Sequence, residues 1–301
     1  MLLTSEDTAY QLEMAEATHL TRQIECYARL AEDTTSVALP VAGGIAALTR
    51  AELGRRFNHV AGFAMGACAS TDDLRALEPW YAERGLPVEI DLCPHAHPSA
   101  RDALSARHYM LRGFTSVYVC ALTRLERAAR REPDVEVRTA IPHNAALPCP
   151  PEIGLSSFEA SEFVAQSIAV CSHAVETRST RVVESLAEVA SARSDTLLFS
   201  AWIDGVVAGT ATLSLIDSPH GRVAQFRLAS TLAAYRGRGV FSALLAARLA
   251  VAREAGYEVG CVTVDATQAC ARTIERAGFQ LAYTRPTFIR YPSPRASSRA
   301  P

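Results

Sequence analysis

Tyr235-Arg236-Gly237-Arg238-Gly239-Val240-Phe241-Ser242-Ala243-Leu244-Leu245 is the stretch that decides how this chain is read. A strand end runs into a turn with two glycines and two arginines, then directly into an alanine- and leucine-rich helix. Glycines at 237 and 239 give the backbone conformations closed to other residues and let a ligand approach closely. A helix that begins there points unpaired N–H groups and a partial positive charge into the turn. Such a turn seats a pyrophosphate, and Arg236 and Arg238 add forked donors of fixed charge. Short glycine motifs also match by chance, so the flanking chain must support the assignment.

Upstream of the turn, residues 196–202, 205–216 and 222–230 read as three successive antiparallel strands, the first two joined through Ile203-Asp204-Gly205. Downstream follow a strand over 257–265, a helix over 268–277 and a strand over 279–290. Before these lie a first strand at 135–141, a proline-rich loop at 148–151 and a helix from about 157 to 171. The first half predicts a helix over 5–31, strands at 36–40 and 60–65, and a helix opened by Thr71-Asp72-Asp73 that closes at Arg84-Gly85. A strand at 88–92, a helix at 99–107 and a strand at 115–122 complete it. The charged span 124–133 ends in proline and reads as a linker, so the chain divides into lobes 1–133 and 134–301.

The two halves resemble each other, as an internal repeat would. In each, a helix ends on glycine (Gly85, Gly256), a strand follows, and a second helix closes just before an aromatic residue (Tyr109, Phe279). They differ where the second half has its Arg/Gly turn. There the first half has Ala67-Cys68-Ala69-Ser70-Thr71-Asp72-Asp73, and carboxylates at a helix start compete with an anion for the same N–H groups. The first lobe is therefore expected to be a scaffold walling the substrate cleft.

Composition narrows the function classes. The net charge is −2, which gives no general attraction to nucleic acid or anionic membranes. All 30 basic residues are arginine, which excludes a catalytic lysine, a Schiff base and a Walker lysine. The eight cysteines are scattered without a Cys-x-x-Cys pair, so neither zinc nor a disulfide framework is indicated. Glu6, Asp7 and Glu13 near the start do not suit a secretory leader, and no apolar run is long enough to span a bilayer. A cytoplasmic location is expected. His95 and His97 in Cys93-Pro94-His95-Ala96-His97-Pro98 lack a third ligand and read as a loop. Trp80 and Tyr81 read as core.

The strand, the Arg-x-x-Gly-type turn, the helix, the next strand and the later Arg276-Ala277-Gly278-Phe279 together resemble the GNAT superfamily of N-acetyltransferases. The resemblance is good over about 135–291 and degenerate before it, as in two-lobed bacterial members whose C-terminal lobe carries the cofactor site. It implies an α/β (α+β) fold of tandem GNAT-like lobes, each a mixed, mostly antiparallel sheet flanked by helices. It also implies acetyl-CoA as co-substrate. The backbone N–H groups of Arg236, Gly237, Arg238, Gly239, Val240 and Phe241 would hold its pyrophosphate. Ala229, Ser230 and Thr231 would splay from the next strand, pair with the pantetheine arm and donate one N–H to the thioester carbonyl. Cys270 faces the same region.

The chemistry implied is direct attack of a small-molecule amine on the thioester, in a monomer or homodimer. The family's frequent tyrosine acid falls at Ile274 and its glutamate base at Gln225, neither of which transfers a proton. The remaining candidates are Gln225 to orient the amine, Tyr283 and Asp265. Phe241, at a position usually small, either crowds the phosphates or turns into the core. Alternatives are a non-catalytic acyl-CoA-binding protein, or the same fold working on another acyl-CoA.

Overall fold

The order of four strands in the middle of the sheet explains how the halves are joined. The computed structural model describes residues 4–124, 134–140, 155–172, 180–265 and 270–292. In the first half, α1 (Glu6–Leu30) precedes β1 (Val37–Val41), β2 (Gly44–Leu48), β3 (Val60–Ala61), α2 (Thr71–Glu83), β4 (Val88–Asp91), α3 (Ser99–Ala106) and β5 (Met110–Ala121). The second half holds β6 (Glu136–Ala140), β7 (Ser156–Ser157), α4 (Glu162–Ser172), α5 (Thr180–Ala192), β8 (Thr196–Ile203), β9 (Val206–Ser218) and β10 (Gly221–Thr231). It ends with α6 (Val240–Glu254), β11 (Val259–Asp265), α7 (Ala271–Arg276) and β12 (Gln280–Arg290).

All these strands lie in one sheet, in the order β1-β2-β3-β4-β12-β5-β11-β10-β9-β8-β6-β7. The last strand of each half is built into the other. β12 pairs antiparallel with β4 (Thr287↔Asp91 to Arg290↔Val88), and β5 pairs antiparallel with β11 (Val259↔Ala121 to Asp265↔Thr115). β5 and β12 also pair with each other. The units β4-α3-β5 and β11-α7-β12 thus face one another across the centre, which is the spatial form of the repeat. Gly85 and Gly256 end their helices with positive φ of 67° and 74°, the left-handed turn that glycine takes without cost. The sheet is continuous across the expected division at 133/134, and the expected linker lies almost wholly outside the described residues.

Helix starts follow local chemistry. Ser5 caps α1 by accepting from the Thr8 N–H at 3.1 Å, with Glu6 and Asp7 in the first turn. Ser70 and Asp73 form a reciprocal capping box on α2. α6 packs on one face of the second-half sheet over Leu197, Phe199, Leu213, Phe226 and Phe279, the last two edge-to-face at 5.4 Å. On the opposite face α1 lies across strands of both halves, and α5 beside it.

Several elements depart from expectation. β2 forms a hairpin with β1 through Ala42 and Gly43, both at positive φ. At Gly43 a Cβ would lie 2.5 Å from the Met65 carbonyl, so glycine is required there. α5 also lies outside the sequence expectation. β3 has only two residues, and β5 begins at Met110 because residues 110–114 pair with β12. The helix expected over 157–171 begins at Glu162, and the one expected over 268–277 spans Ala271–Arg276, with 266–269 outside the described residues. Tyr81 is core, its phenol donating to the Ala47 carbonyl, but Trp80 is 44% exposed. Trp80 sits one residue, about 100°, away from the buried stripe of Leu74, Leu77 and Tyr81.

Candidate functional site

Between β10 and β11 the sheet opens. Their parallel pairing runs from Val223↔Val259 to Phe226↔Val262 and stops, although β10 continues to Thr231 and β11 to Asp265. β11 stays paired to β5 through Asp265↔Thr115, while β10 stays paired to β9. The divergence starts at a bulge: Arg227 faces Thr212, and the next pair is Ser230 with Thr210, which leaves one extra residue on β10. Leu228 sits there at φ +50°. Ala229, Ser230 and Thr231 form the edge beyond the bulge, with Ser230 Oγ accepting from Cys171 Sγ at 3.1 Å.

Beyond that edge, a short helical turn (Ala233–Tyr235) leads to Gly237 and Gly239, at φ +78° and +80°. A Cβ at 237 would meet nothing within 4 Å, so the backbone conformation and not crowding selects glycine. Gly239 is the N-cap of α6 and offers no side-chain acceptor; the first intrahelical bond is from the Ala243 N–H to the Gly239 carbonyl at 2.9 Å. The preceding helical N–H groups have no intrahelical acceptor. Val240 is buried against β9, where a Cβ on Gly209 would lie 2.5 Å from Val240 Cγ1. Phe241 packs against the core beneath α6, so its ring leaves the turn clear. Arg236 and Arg238 are exposed; Arg238 lies over the Tyr235 ring and 3.8 Å from Asp204.

The bulge is held from the α6 side by Arg248, a residue with no sequence motif. Its guanidinium is 1% exposed and donates to the carbonyls of Leu244 (3.0 Å), Thr212 (3.1 Å) and Arg227 (3.4 Å). Burial pulls it down to about 9. Thr212 and Arg227 are the last register pair before the bulge, so Arg248 fixes the strand where it turns.

Gln225 and Tyr283 lie on the α1 face, within a buried polar network. Gln225 is 2% exposed and its Nε2 donates to Glu16 Oε2 at 3.3 Å; Arg227 donates to the same oxygen at 2.7 Å. Burial works to raise Glu16, but Arg227 and Arg285 outweigh it and hold the carboxyl at about 2. The Tyr283 phenol donates to Glu13 Oε1 at 2.7 Å, and Arg285 Nη1 lies 3.2 and 3.3 Å from the two Glu13 oxygens. Burial and then Glu13 push the Tyr283 phenol far above its usual range. Asp265 is exposed at the end of β11. Cys270 packs toward the α6 core, and burial raises its thiol. Among the candidates, Gln225 and Tyr283 therefore share the network, while Asp265 and Cys270 stand apart from it.

The partners in this network come from the first half, and no motif marks them. Glu13, Glu16, His19 and Gln23 recur at near-helical spacing along α1 and are all buried. His19 is held well below the usual histidine range by burial, then by Arg227 and Arg193. His97 bonds Ser99 and lies 3.6 Å from Cys68. No cluster of three or more metal-ligating side chains occurs among the described residues. Nor is any described helix long and apolar enough to cross a membrane.

A sequence model of the acetyltransferase (GNAT) family matches residues 165–279, a span that contains the bulge, the splay and the glycine turn. The chain contains a GNAT-family domain. Solved structures extend the likeness in fold to both halves. A GCN5-related N-acetyltransferase from Kribbella flavida superposes with a TM-score of 0.62 at 16% identity, covering 93% of this chain and 97% of that one. A tandem GNAT protein from the clavulanic acid biosynthesis pathway gives 0.57 at 12% identity, with 93% and 97% covered. A GCN5-related N-acetyltransferase from Sphaerobacter thermophilus gives 0.52 at 14%, with 78% and 72% covered. The curated proteins contain no match to the sequence. The matched span lies wholly in the second half and includes the splayed strands.

Proposed function

We propose that the protein is an acetyl-CoA-dependent N-acetyltransferase that acts on an amine of a small molecule. The observation that carries this is the splay between β10 and β11 beside an uncapped glycine helix start. Two features support a nucleotide thioester as the ligand. The turn has open space at Gly237 and bare N–H groups at the start of a 15-residue helix, which suits a diphosphate. The β10 edge beyond the bulge diverges from β11, which suits a linear amide-bearing arm.

Acetyl-CoA supplies an acyl group on a good leaving thiolate. The chain's part is positioning and charge. The first-turn N–H groups of α6, with Arg236 and Arg238, bind the diphosphate. Ala229, Ser230 and Thr231 pair with the arm, and an N–H at the bulge polarises the carbonyl as the amine attacks. Arg248 holds that bulge rigid from behind. Gln225 and Tyr283 act by orienting, since both are tied to α1 carboxylates, and proton removal falls to water entering the splay. The cytoplasm is the expected compartment.

The test is incubation with acetyl-CoA and a panel of amines, with products read by mass. One acetylated product formed in proportion to enzyme supports the reading; tight CoA binding with no product across the panel favours a second reading, an acyl-CoA-binding protein without turnover. The observation on that side is the engagement of both Gln225 and Tyr283. Propionyl- and malonyl-CoA in the same assay separate the acyl groups.

A further inference from the structure

β10 loses its neighbour β11 after Phe226, and Arg227 is the first residue beyond that point. Its backbone still pairs with Thr212 of β9, and the bulge begins directly after it. Two side chains grip it from opposite faces of the sheet. From the α6 face, Arg248 donates to its carbonyl at 3.4 Å. From the α1 face, Glu16 Oε2 accepts from Arg227 Nη1 at 2.7 Å. Gln225 closes a triangle with this pair. Its Nε2 donates to the same Glu16 oxygen at 3.3 Å, and its Oε1 accepts from Arg227 Nη1 at 3.5 Å. The Glu16 and Arg227 side chains are 11% and 22% exposed, so salt screens the pair little.

The same helix also holds the far side of the opening. Glu13, one turn before Glu16 on α1, binds Tyr283 and Arg285 of β12. The strand order β12-β5-β11-β10 puts those contacts on one side of the splay and Arg227 on the other. α1 therefore ties β10 to the rest of the sheet at the level where the β10–β11 ladder has ended. The residue so fixed is followed by Leu228 at φ +50°, a left-handed conformation that a bulky side chain disfavours. Such strain persists only where the surroundings over-determine it. Here the two grips on Arg227 supply that constraint.

We propose that Glu16 is a positioning residue for acetyl transfer: by holding Arg227 at the vertex of the splay, it sets the bulge whose N–H meets the thioester carbonyl. The effect is exerted through Arg227 and needs no contact with CoA or the amine. Burial works against the Glu16 charge, but Arg227 and Arg285 outweigh it and hold the carboxyl at about 2, so the grip is ionic at neutral pH. The first half is then part of the catalytic apparatus and more than a wall of the cleft, because the strand that carries the bulge is braced from the helix that precedes β1.

This role rests on the acyltransferase reading above, and one experiment separates their failures. The full chain is titrated with acetyl-CoA isotope-labelled at the acetyl carbonyl carbon. Calorimetry gives the affinity, and isotope-edited infrared spectroscopy gives the carbonyl stretch of the bound thioester, without turnover. In the parent the stretch is expected to fall below that of free acetyl-CoA, the sign of a polarised carbonyl. Glu16→Gln keeps the shape of the side chain and should lose most of that shift, with affinity kept within about threefold. Arg227→Met cuts the pair from the other side and should lose as much, and the double variant no more than either alone. Where the amine panel yields a product, kcat should fall on the order of 100-fold in Glu16→Gln, the usual cost of a misplaced group. The same stretch in parent and Glu16→Gln overturns the inference, and so does a stretch unshifted in the bound parent. A loss of affinity in step with the loss of shift also overturns it, because the pair then holds the fold and not the carbonyl. A parent that does not bind acetyl-CoA overturns the acyltransferase reading instead.

Discussion

Each half follows a strand with a helix, and the two helices begin in opposite ways. α2 begins with Ser70 and Asp73 closing a capping box, the Asp73 carboxylate accepting from the Ser70 N–H at 2.8 Å. α6 begins with Gly239, which closes nothing. The strands before them differ too. β10 has 11 residues, a bulge and a free run past its pairing with β11, whereas β3 has two residues and pairs with β4 only at Val60↔Ile90. One half caps its helix start with its own side chains; the other leaves the start of α6 without a side-chain cap. The halves are nevertheless inseparable, because each donates its last strand to the other and α1 carries its charged face under both.

The strongest way to break that union is through Glu13 and Arg285, which join the first helix to the last strand at 3.2 Å with 1% and 4% side-chain exposure. Arg285→Met leaves the carboxylate buried without its partner and is expected to destabilise the chain by about 3–5 kcal/mol in urea unfolding. The Glu13→Met/Arg285→Met pair should recover most of that loss. Equal destabilisation by the single and the pair would show that the residues serve only as volume.

Acid should loosen the same joint. His59, buried beside Arg55, is held down to about 4 by burial and then by Arg55. As its folded value lies below the unfolded one, its neutral form contributes stability above pH 6.5, and this is lost as pH falls toward 4. The loss is about 3 kcal/mol if nothing else titrates. Glu16, at about 2, adds a further loss below pH 4.5, while burial-raised Glu13 and Glu89 oppose both. Unfolding midpoints should therefore start to drop below pH 6.5, and His59→Gln should move that onset down into the carboxylate range.

The ligand side of the comparison is tested at Gly239. Gly239→Glu places a carboxylate where the first half has one, and CoA affinity by calorimetry should fall on the order of 100-fold. Gly239→Ala controls for backbone strain at φ +80°, expected to cost about 1–2 kcal/mol of stability with a smaller loss of affinity. Undiminished CoA binding by Gly239→Glu would move the site elsewhere.

How much of this was legible beforehand depends on the kind of signal. The turn at 235–245 and the strands around it announce themselves, because glycine and strand-to-helix transitions are local. The splay was implied only by resemblance. The α1 network was not legible at all: Glu13, Glu16, His19 and Gln23 look like a solvated helical face, and Thr210, Thr212 and Ser214 like the wet side of a strand. They are buried because helices cover both faces of the sheet, a fact of tertiary packing. Arg248 is hidden for the same reason, one arginine among many until the bulge carbonyls above it are seen. α5 escapes notice although Leu186, Val189 and Ala190 recur at helical spacing, and β2 because alanine-rich strands carry little β propensity.

The smallest effect asks whether capping alone separates the halves. Ser70→Ala removes the acceptor that the Asp73 N–H uses at 3.2 Å and should cost about 1 kcal/mol. Asp73→Ala removes the reciprocal bond and one of the two carboxylates in the first turn, Asp72 remaining. With both changed, α2 presents bare N–H groups much as α6 does. CoA should still bind with a stoichiometry of one per chain, because β3 is too short to diverge from β4 and offers no edge for a pantetheine arm. A second equivalent bound by the double variant would mean that two side chains, and not the strand geometry, had closed the first half to ligand.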